Sequence, residues 1–330
     1  MQNKLRQWLA AVALTTTASA CTPVLSQDAA WAPQDFSQSI IPGSSPERED
    51  SVESEGYFVH CNHPKDPSFH QPKCQQIRKA VCEAVELVRG PKSCDGFEIR
   101  IQESSKDNAW GGSKSVTFSR QHLVMDEKRA AEHPAAMTPA DMTRAIAYHE
   151  VYHALTEDGS RYASVLGEYQ KHQKQTLALW NELRVFAVCQ SSAINPLECQ
   201  LVNPNDAAKA DQLATQFLSA REVWYNNAKI LRTQEHAADV FAGYVSTCLG
   251  QAPDDVAYAI EAREEPLAFT NDDAGSTHPN IGSRLERLAL HQPSFKAITD
   301  GRQPCPFPER FAAMAADNFH TPLDQLPPVK

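Results

Sequence analysis

Ala145-Ile146-Ala147-Tyr148-His149-Glu150-Val151-Tyr152-His153 holds the pattern H-E-x-x-H. On a helix, His149 and His153 stand one turn apart on the same face, so their imidazoles can converge on one metal ion. Glu150 lies beside them, placed to take a proton from a metal-activated water. Local signals put the stretch on a helix. The apolar run Ala145-Ile146-Ala147 suits a buried helix. Upstream, Thr138 reads as the N-cap, Pro139 as the first helical residue, and Asp141 as an acid favouring the positive helix end. With 12 histidines in 330 residues the pattern also arises by chance, and a helical histidine pair is often only a hydrogen-bonded surface feature. The remainder of the chain has to decide between these readings.

The length allows one large domain or two modest ones, and 42% hydrophobic with 22% charged residues fits a globular protein with a real core. Residues 1–20 differ. Lys4 and Arg6 give a positive start, Trp8 to Leu14 an apolar centre, and Ala18-Ser19-Ala20 a small-residue end. This is the pattern of a secretory signal, too short to span a membrane as a stable helix. Its removal leaves 29 basic and 41 acidic residues, a net charge of −12. An acidic secreted chain is a poor nucleic-acid binder, so no nucleic-acid partner is expected.

Nine cysteines follow: Cys21, Cys61, Cys74, Cys82, Cys94, Cys189, Cys199, Cys248 and Cys305. Cys21 stands first after the small-residue cleavage site and resembles the lipid-modified first residue of a bacterial lipoprotein. Ala18 replaces the Leu usual three residues earlier, and ordinary cleavage at the same bond would leave Cys21 a free thiol instead. The other eight form an even set, as an oxidising compartment favours. Nearest-neighbour pairing gives Cys61–Cys74, Cys82–Cys94, Cys189–Cys199 and Cys248–Cys305. His60, His63 and His70 among the first pair allow a second metal site, against the plainer reading of a disulfide with solvated histidines.

Residues 21–56, rich in Ser, Pro, Gln and acids, read as a flexible tether, and residues 57–330 as the globular domain. Cys74 to Arg89 has helical spacing and stops at Gly90-Pro91. Phe97 to Ile101 alternates like a strand, Asn108 to Gly112 reads as a turn, and Ser115 to Phe118 as a second strand before the motif helix. Beyond it the chain is mostly helical: one long pattern over about 161–190, a break at Asn195-Pro196, another over about 206–231, and a third from Thr233 to Tyr244. A short helix near 254–263 leads to an exposed loop, Phe269 to Pro279. A helix over Ile281 to Leu290 and an irregular Pro-rich tail follow. The expected class is α+β, mainly helical. No P-loop, G-x-G-x-x-G or G-x-S-x-G occurs.

A hydrolytic zinc site commonly takes three protein ligands and leaves one position open. Glu235 is the expected third, because Glu235 and Asp239 share a helix face and Ala238 between them permits close helix packing. Asp239 would then bond the free ring nitrogen of a ligand histidine. The plainer reading is that both are ordinary surface acids, which are abundant in this chain. His236 is a rival ligand, about 100° away around the helix.

Four stretches in order now resemble one family: Asn108-Ala109-Trp110 before a strand, His149-Glu150-x-x-His153, Glu235-x-x-x-Asp239, and Thr277-His278-Pro279 followed by Arg284 and Leu288. The chain resembles the gluzincin metallopeptidases of the CAAX-prenyl-protease/HtpX type, in their soluble periplasmic branch. The resemblance spans about residues 97–290. It implies a zincin-like domain with a small sheet at the cleft edge and one Zn2+ held by His149, His153 and Glu235. Glu150 would be the general base, Asp239 would support the ligands from behind, Arg284 would help shape the catalytic region, and His278 would sit near the metal, either covering its open position at rest or stabilising the oxyanion. It further implies a protein or peptide substrate paired to an edge strand near Val116 to Phe118. The expected activity is zinc-dependent endopeptidase action on envelope proteins, misfolded ones among them. The expected location is the periplasm, with membrane contact only through lipid on Cys21. The alternative is a metal-containing chaperone or assembly lipoprotein without catalysis. The chain departs from the family in three ways. Tyr152 stands where a small Gly is common, the membrane helices of the integral members are absent, and the cysteine-rich segment 61–94 is outside the match.

Overall fold

The expected capping signals start the motif helix. Thr138 Oγ1 accepts from the Asp141 amide at 3.2 Å, and the Asp141 carboxylate accepts from the Thr138 amide at 3.0 Å, a reciprocal pair that satisfies two of the orphan donors of a helix start. Pro139 occupies the first turn, where its missing N–H costs nothing. The helix runs Pro139–Leu155 and is buried on every side from Ala145 onward, so the H-E-x-x-H stretch lies in the core. At its far end Arg89 donates to the Leu155 carbonyl at 3.0 Å, a cation at the negative helix terminus.

The computed structural model describes residues 58–62, 65–105, 107–132, 137–156, 158–190, 198–262 and 275–327. The signal and tether assigned to 1–56, with Cys21, lie outside the described residues. In chain order the elements are β1 (Phe58–His60), α1 (Pro72–Arg89), β2 (Glu98–Gln102), β3 (Ala109–Gly112), β4 (Ser115–Ser119), α2 (Arg120–Glu132), α3 (Pro139–Leu155) and α4 (Asp158–Phe186). Then come β5 (Ala187–Gln190), β6 (Glu198–Leu201), α5 (Ala207–Cys248), α6 (Asp254–Glu261), α7 (Ile281–Thr299) and α8 (Phe311–Ala316). The architecture is α+β, mainly helical with a small mixed sheet, as the sequence predicts.

The sheet has the order β1-β2-β4-β3, with β2 and β4 parallel and the other pairs antiparallel. Two expectations are corrected here. Asn108 to Gly112, read as a turn, supplies strand β3, and the tight turn is Ser113-Lys114, with Lys114 at φ 54°. Because β3 pairs outside β4, the segment Val116 to Phe118 is interior and the outer strand is Ala109–Gly112. Gly-Gly signals a turn when read locally, but Gly111 is needed for another reason. A Cβ there would sit 2.1 Å from the Glu150 carbonyl oxygen, so only glycine lets β3 lie directly on the motif helix.

Helices α4 and α5 pair along an antiparallel hairpin closed by the β5–β6 ribbon. On α5 the buried positions Ala210, Leu213, Phe217, Ala220, Trp224, Ala228 and Leu231 recur at alternating short heptad-like steps, and on α4 Tyr169, Thr176, Trp180 and Leu183 do the same. From Gln234 onward α5 changes character and is buried on nearly every side as it enters the main core. The patterns expected over 206–231 and 233–244 are therefore one continuous helix. The first ends its one-sided stripe where the second begins its all-round burial, and no breaker separates them.

The Pro-rich tail is ordered rather than irregular. Phe307, Met314, Phe319 and Leu323 are buried in the main core, and α8 forms within it. This accounts for Tyr152: its ring packs edge-on against Phe319 and tilted against Phe241, both at 5.7 Å. The tail aromatics occupy the far side of the motif helix from the sheet. Disulfides join Cys61–Cys74, Cys82–Cys94 and Cys248–Cys305, as expected. Cys189 and Cys199 are register partners in the β5–β6 ladder, and their side chains lie outside the described residues. His60 pairs with Glu98 at 3.3 Å, and His63 lies outside the described residues.

Candidate metal centre

The buried parts of two helices make the centre. His149 and His153 project from one face of α3 towards α5, which presents Glu235. The two Nε2 atoms are 3.4 Å apart. Glu235 Oε2 lies 3.2 Å from His149 Nε2, and Oε1 lies 3.6 Å from His153 Nε2. Among the described residues this is the one group of three His, Cys, Asp or Glu whose ligand atoms converge, all within 4.8 Å of one another. Each residue is less than a tenth exposed.

The tautomer supports a metal site. His149 Nδ1 is 2.9 Å from Asp239 Oδ1, so the ring donates from Nδ1 and turns Nε2 to the centre, where a metal would displace its proton. Asp239 is 1% exposed and is gripped by Arg284, whose Nε and Nη2 donate to its two oxygens at 2.7 Å each. Burial alone would raise the Asp239 pKa, but the Arg284 guanidinium overrides it and holds the carboxyl at about 2. Burial opposes charging His149 as well, yet hydrogen bonds to Asp239 and Glu235 raise it to about 10. The two carboxylates thus favour positive charge at His149 beside the Arg284 guanidinium, and a divalent ion at the centre would take the place of the His149 Nε2 proton. The three residues fit such an ion, as expected.

The remaining predicted residues fall as follows. Glu150 is buried, and with His153 and Ala154 it lies on the side of α3 that β3 covers. Arg284 bonds both oxygens of Asp239, the partner of His149, and so supports the site from behind. His236 turns away: its Nε2 is 3.2 Å from Ser283 Oγ, and burial, aided by Arg284 and Arg287, lowers its pKa to about 4. His278 reaches the centre from the loop before α7, with Nε2 3.8 Å from Glu235 Oε2 and its side chain 56% exposed. Thr277 Oγ1 is 3.0 Å from His278 Nδ1, so Nε2 is the nitrogen that faces the site.

No protein-family model, curated protein or solved structure matches this chain. The geometry of its own residues carries the chemical reading. Two features went unread in the sequence. Gly111 had no signal beyond a glycine pair. Tyr169 and Arg232 hold the loop of His278 from α4 and α5, and the available hint was that Arg232 lies one helical turn from Glu235.

Proposed function

We propose that the chain is a zinc-dependent endopeptidase of the gluzincin type, with a zincin-like catalytic domain. The convergence of His149, His153 and Glu235, with Asp239 and Arg284 fixing the ligand orientation, is the observation that carries this reading. A bound Zn2+ would supply Lewis acidity, polarising a scissile carbonyl and acidifying a water. Glu150 takes the proton of the attacking water and passes it to the departing amine. His278 Nε2, exposed at the mouth of the site, donates to the oxygen on which negative charge develops. Asp239 keeps the His149 Nδ1 proton in place throughout.

The substrate is an extended protein or peptide segment. It pairs by its backbone with the outer strand β3, which lies against the motif helix, so recognition depends little on side-chain identity. The three disulfides and the leader residues favour an envelope compartment, with the chain tethered through lipid on Cys21 and acting on unassembled or misfolded envelope proteins.

The test joins metal analysis to Glu150→Gln. Purified protein should carry one zinc per chain, and the variant should keep it while losing cleavage of an unfolded protein substrate by at least about a thousandfold. Unchanged cleavage in the variant rejects the mechanism. Retention of a substrate-protecting activity without any cleavage in either protein would point to the chaperone alternative.

A further inference from the structure

His278 sits in the stretch Gly275 to Asn280 before α7, whose following end is firmly held. Asn280 caps α7, accepting from the Ser283 amide at 2.7 Å, and Pro279 beside it is buried. The preceding end is held by the helical hairpin instead. Tyr169 of α4 donates its hydroxyl to the Gly275 carbonyl at 2.9 Å. Arg232 of α5 donates from Nη1 to the Ser276 carbonyl at 2.7 Å. Both carbonyls lie within three residues of His278, so a displacement of either is passed to the imidazole through only a few backbone torsions.

The two donors are well braced. Tyr169 is 2% exposed, and its ring packs edge-on to Trp224 at 6.3 Å, within the aromatic cluster at the base of the hairpin. Arg232 stands three residues before Glu235 on the same helix, so it shares the face that carries the metal ligand. One turn of α5 therefore supplies both the carboxylate of the centre and the grip on the loop that faces it. The Glu235–His278 separation of 3.8 Å is longer than a hydrogen bond, so the imidazole is aimed at the centre by its Nδ1 contact with Thr277 Oγ1 at 3.0 Å and by the backbone that carries both residues.

We propose that Tyr169 and Arg232 are positioning residues. They clamp the carbonyls of Gly275 and Ser276 and thereby set the approach of His278 to the metal centre. The base of the α4–α5 hairpin is thus a working part of the site. This inference rests on the proposed peptidase reading for its kinetic consequence, but the clamp itself is a statement about the chain alone.

The experiment therefore has two arms. In metal-free protein at fixed alkaline pH, the ring resonances of His278 are assigned by their loss in His278→Ala and followed in Arg232→Gln and Tyr169→Phe. The second variant removes one hydroxyl and leaves the aromatic cluster packed. Release of the loop should move the His278 signals towards those of a solvent-exposed histidine in both variants, while the resonances of His291, in the core, stay in place. Unmoved His278 signals in a folded Tyr169→Phe and Arg232→Gln overturn the proposal, whether or not the protein cleaves anything. In the kinetic arm, each variant should lower kcat by at least about tenfold with little change in KM, within the roughly hundredfold that a misplacement of about 1 Å at a reacting group can cost. In the His278→Ala background the same substitutions should change kcat less than about twofold. A loss that persists undiminished without His278 also overturns the clamp and assigns both residues a role in stability. Absence of peptidase activity in the parent protein would reject the functional reading and leave the resonance arm to decide the clamp.

Discussion

Arg284→Met tests the electrostatics of the metal centre most directly. Asp239 is 1% exposed and accepts three hydrogen bonds, two from Arg284 at 2.7 Å and one from His149 at 2.9 Å. The substitution keeps much of the side-chain volume and strands a buried carboxylate. Two independent estimates bound the cost. Depressing the Asp239 pKa from 3.8 to about 2 corresponds to about 2.5 kcal/mol of stability at neutral pH. Removing one partner of a buried ion pair costs about 3–5 kcal/mol. Because the folded pKa lies below the unfolded one, this stability is present above pH 3.8 and is lost as pH falls through about 2. In the variant, burial acts unopposed by the guanidinium and raises the carboxyl pKa. The folded variant then takes up a proton before its unfolded chain does, so its deficit is largest at neutral pH and shrinks on acidification towards pH 4. Urea unfolding of chelator-treated protein at several pH values measures this gap. A protonated Asp239 also releases its hold on the His149 tautomer, so zinc affinity, read by chelator competition, should fall about 10–100-fold. A stability gap below about 1 kcal/mol at pH 7, together with zinc affinity within twofold of the parent, would refute the reasoning.

Gly111→Ala should destabilise the fold by about 3 kcal/mol, the upper end for overpacking, because its Cβ would meet the Glu150 carbonyl oxygen at 2.1 Å; thermal unfolding reads this, and an unchanged Tm rejects the close strand–helix contact. Replacing both Cys248 and Cys305 by Ala opens a link between residues 57 apart and should cost about 4 kcal/mol in urea unfolding, with no change in zinc content. His291 is held neutral by burial, its pKa lowered from 6.5 to about 4, so its contribution is present above pH 6.5 and is lost as pH falls through 4. Its ring should titrate near pH 4 by NMR, and a ring titrating near 6.5 in the folded protein would contradict the buried contacts with Tyr244 and the Phe319 carbonyl.

The motif helix was legible because its signals are local. Thr138, Pro139 and Asp141 act within one turn, and the His149–His153 spacing needs only helical geometry. Glu235 and Asp239 were legible for the same reason, since a shared helix face follows from their separation by four residues. The strand β3 was not. Its glycines mean a turn to any local rule, and only the approach of α3, far along the chain, makes Gly111 a strand residue. That omission also misplaced the outer edge of the sheet, since one unread strand moves β4 to the interior. The tail was misread in a related way. Its prolines disfavour long helices, but Phe307 and Phe319 are spaced to fill the space around Phe241 and Tyr152, and that space is visible only once α5 and α3 are packed.

Helix α5 shows why the parts of the site cannot be considered separately. Its first half buries a heptad-like stripe against α4 and leaves the rest in solvent. Its second half buries Glu235 and Asp239, two acids that burial alone would neutralise. The chain keeps them charged by setting His278, His149 and His153 around Glu235 and Arg284 and His149 around Asp239. The junction between the halves falls at Arg232 to Glu235, the turn that also holds the His278 loop. A change that bends α5 at that turn should therefore disturb ligand geometry and loop position together, whereas a change confined to the outer stripe, such as at Leu213, should reach the site only through the hairpin. A helix-breaking substitution at Thr233, half-buried and bonded through its hydroxyl to the Lys229 carbonyl, should lower zinc affinity more than Leu213→Ala does even when both cost similar stability. Equal effects on zinc affinity at equal stability loss would show that the turn has no special place in the site.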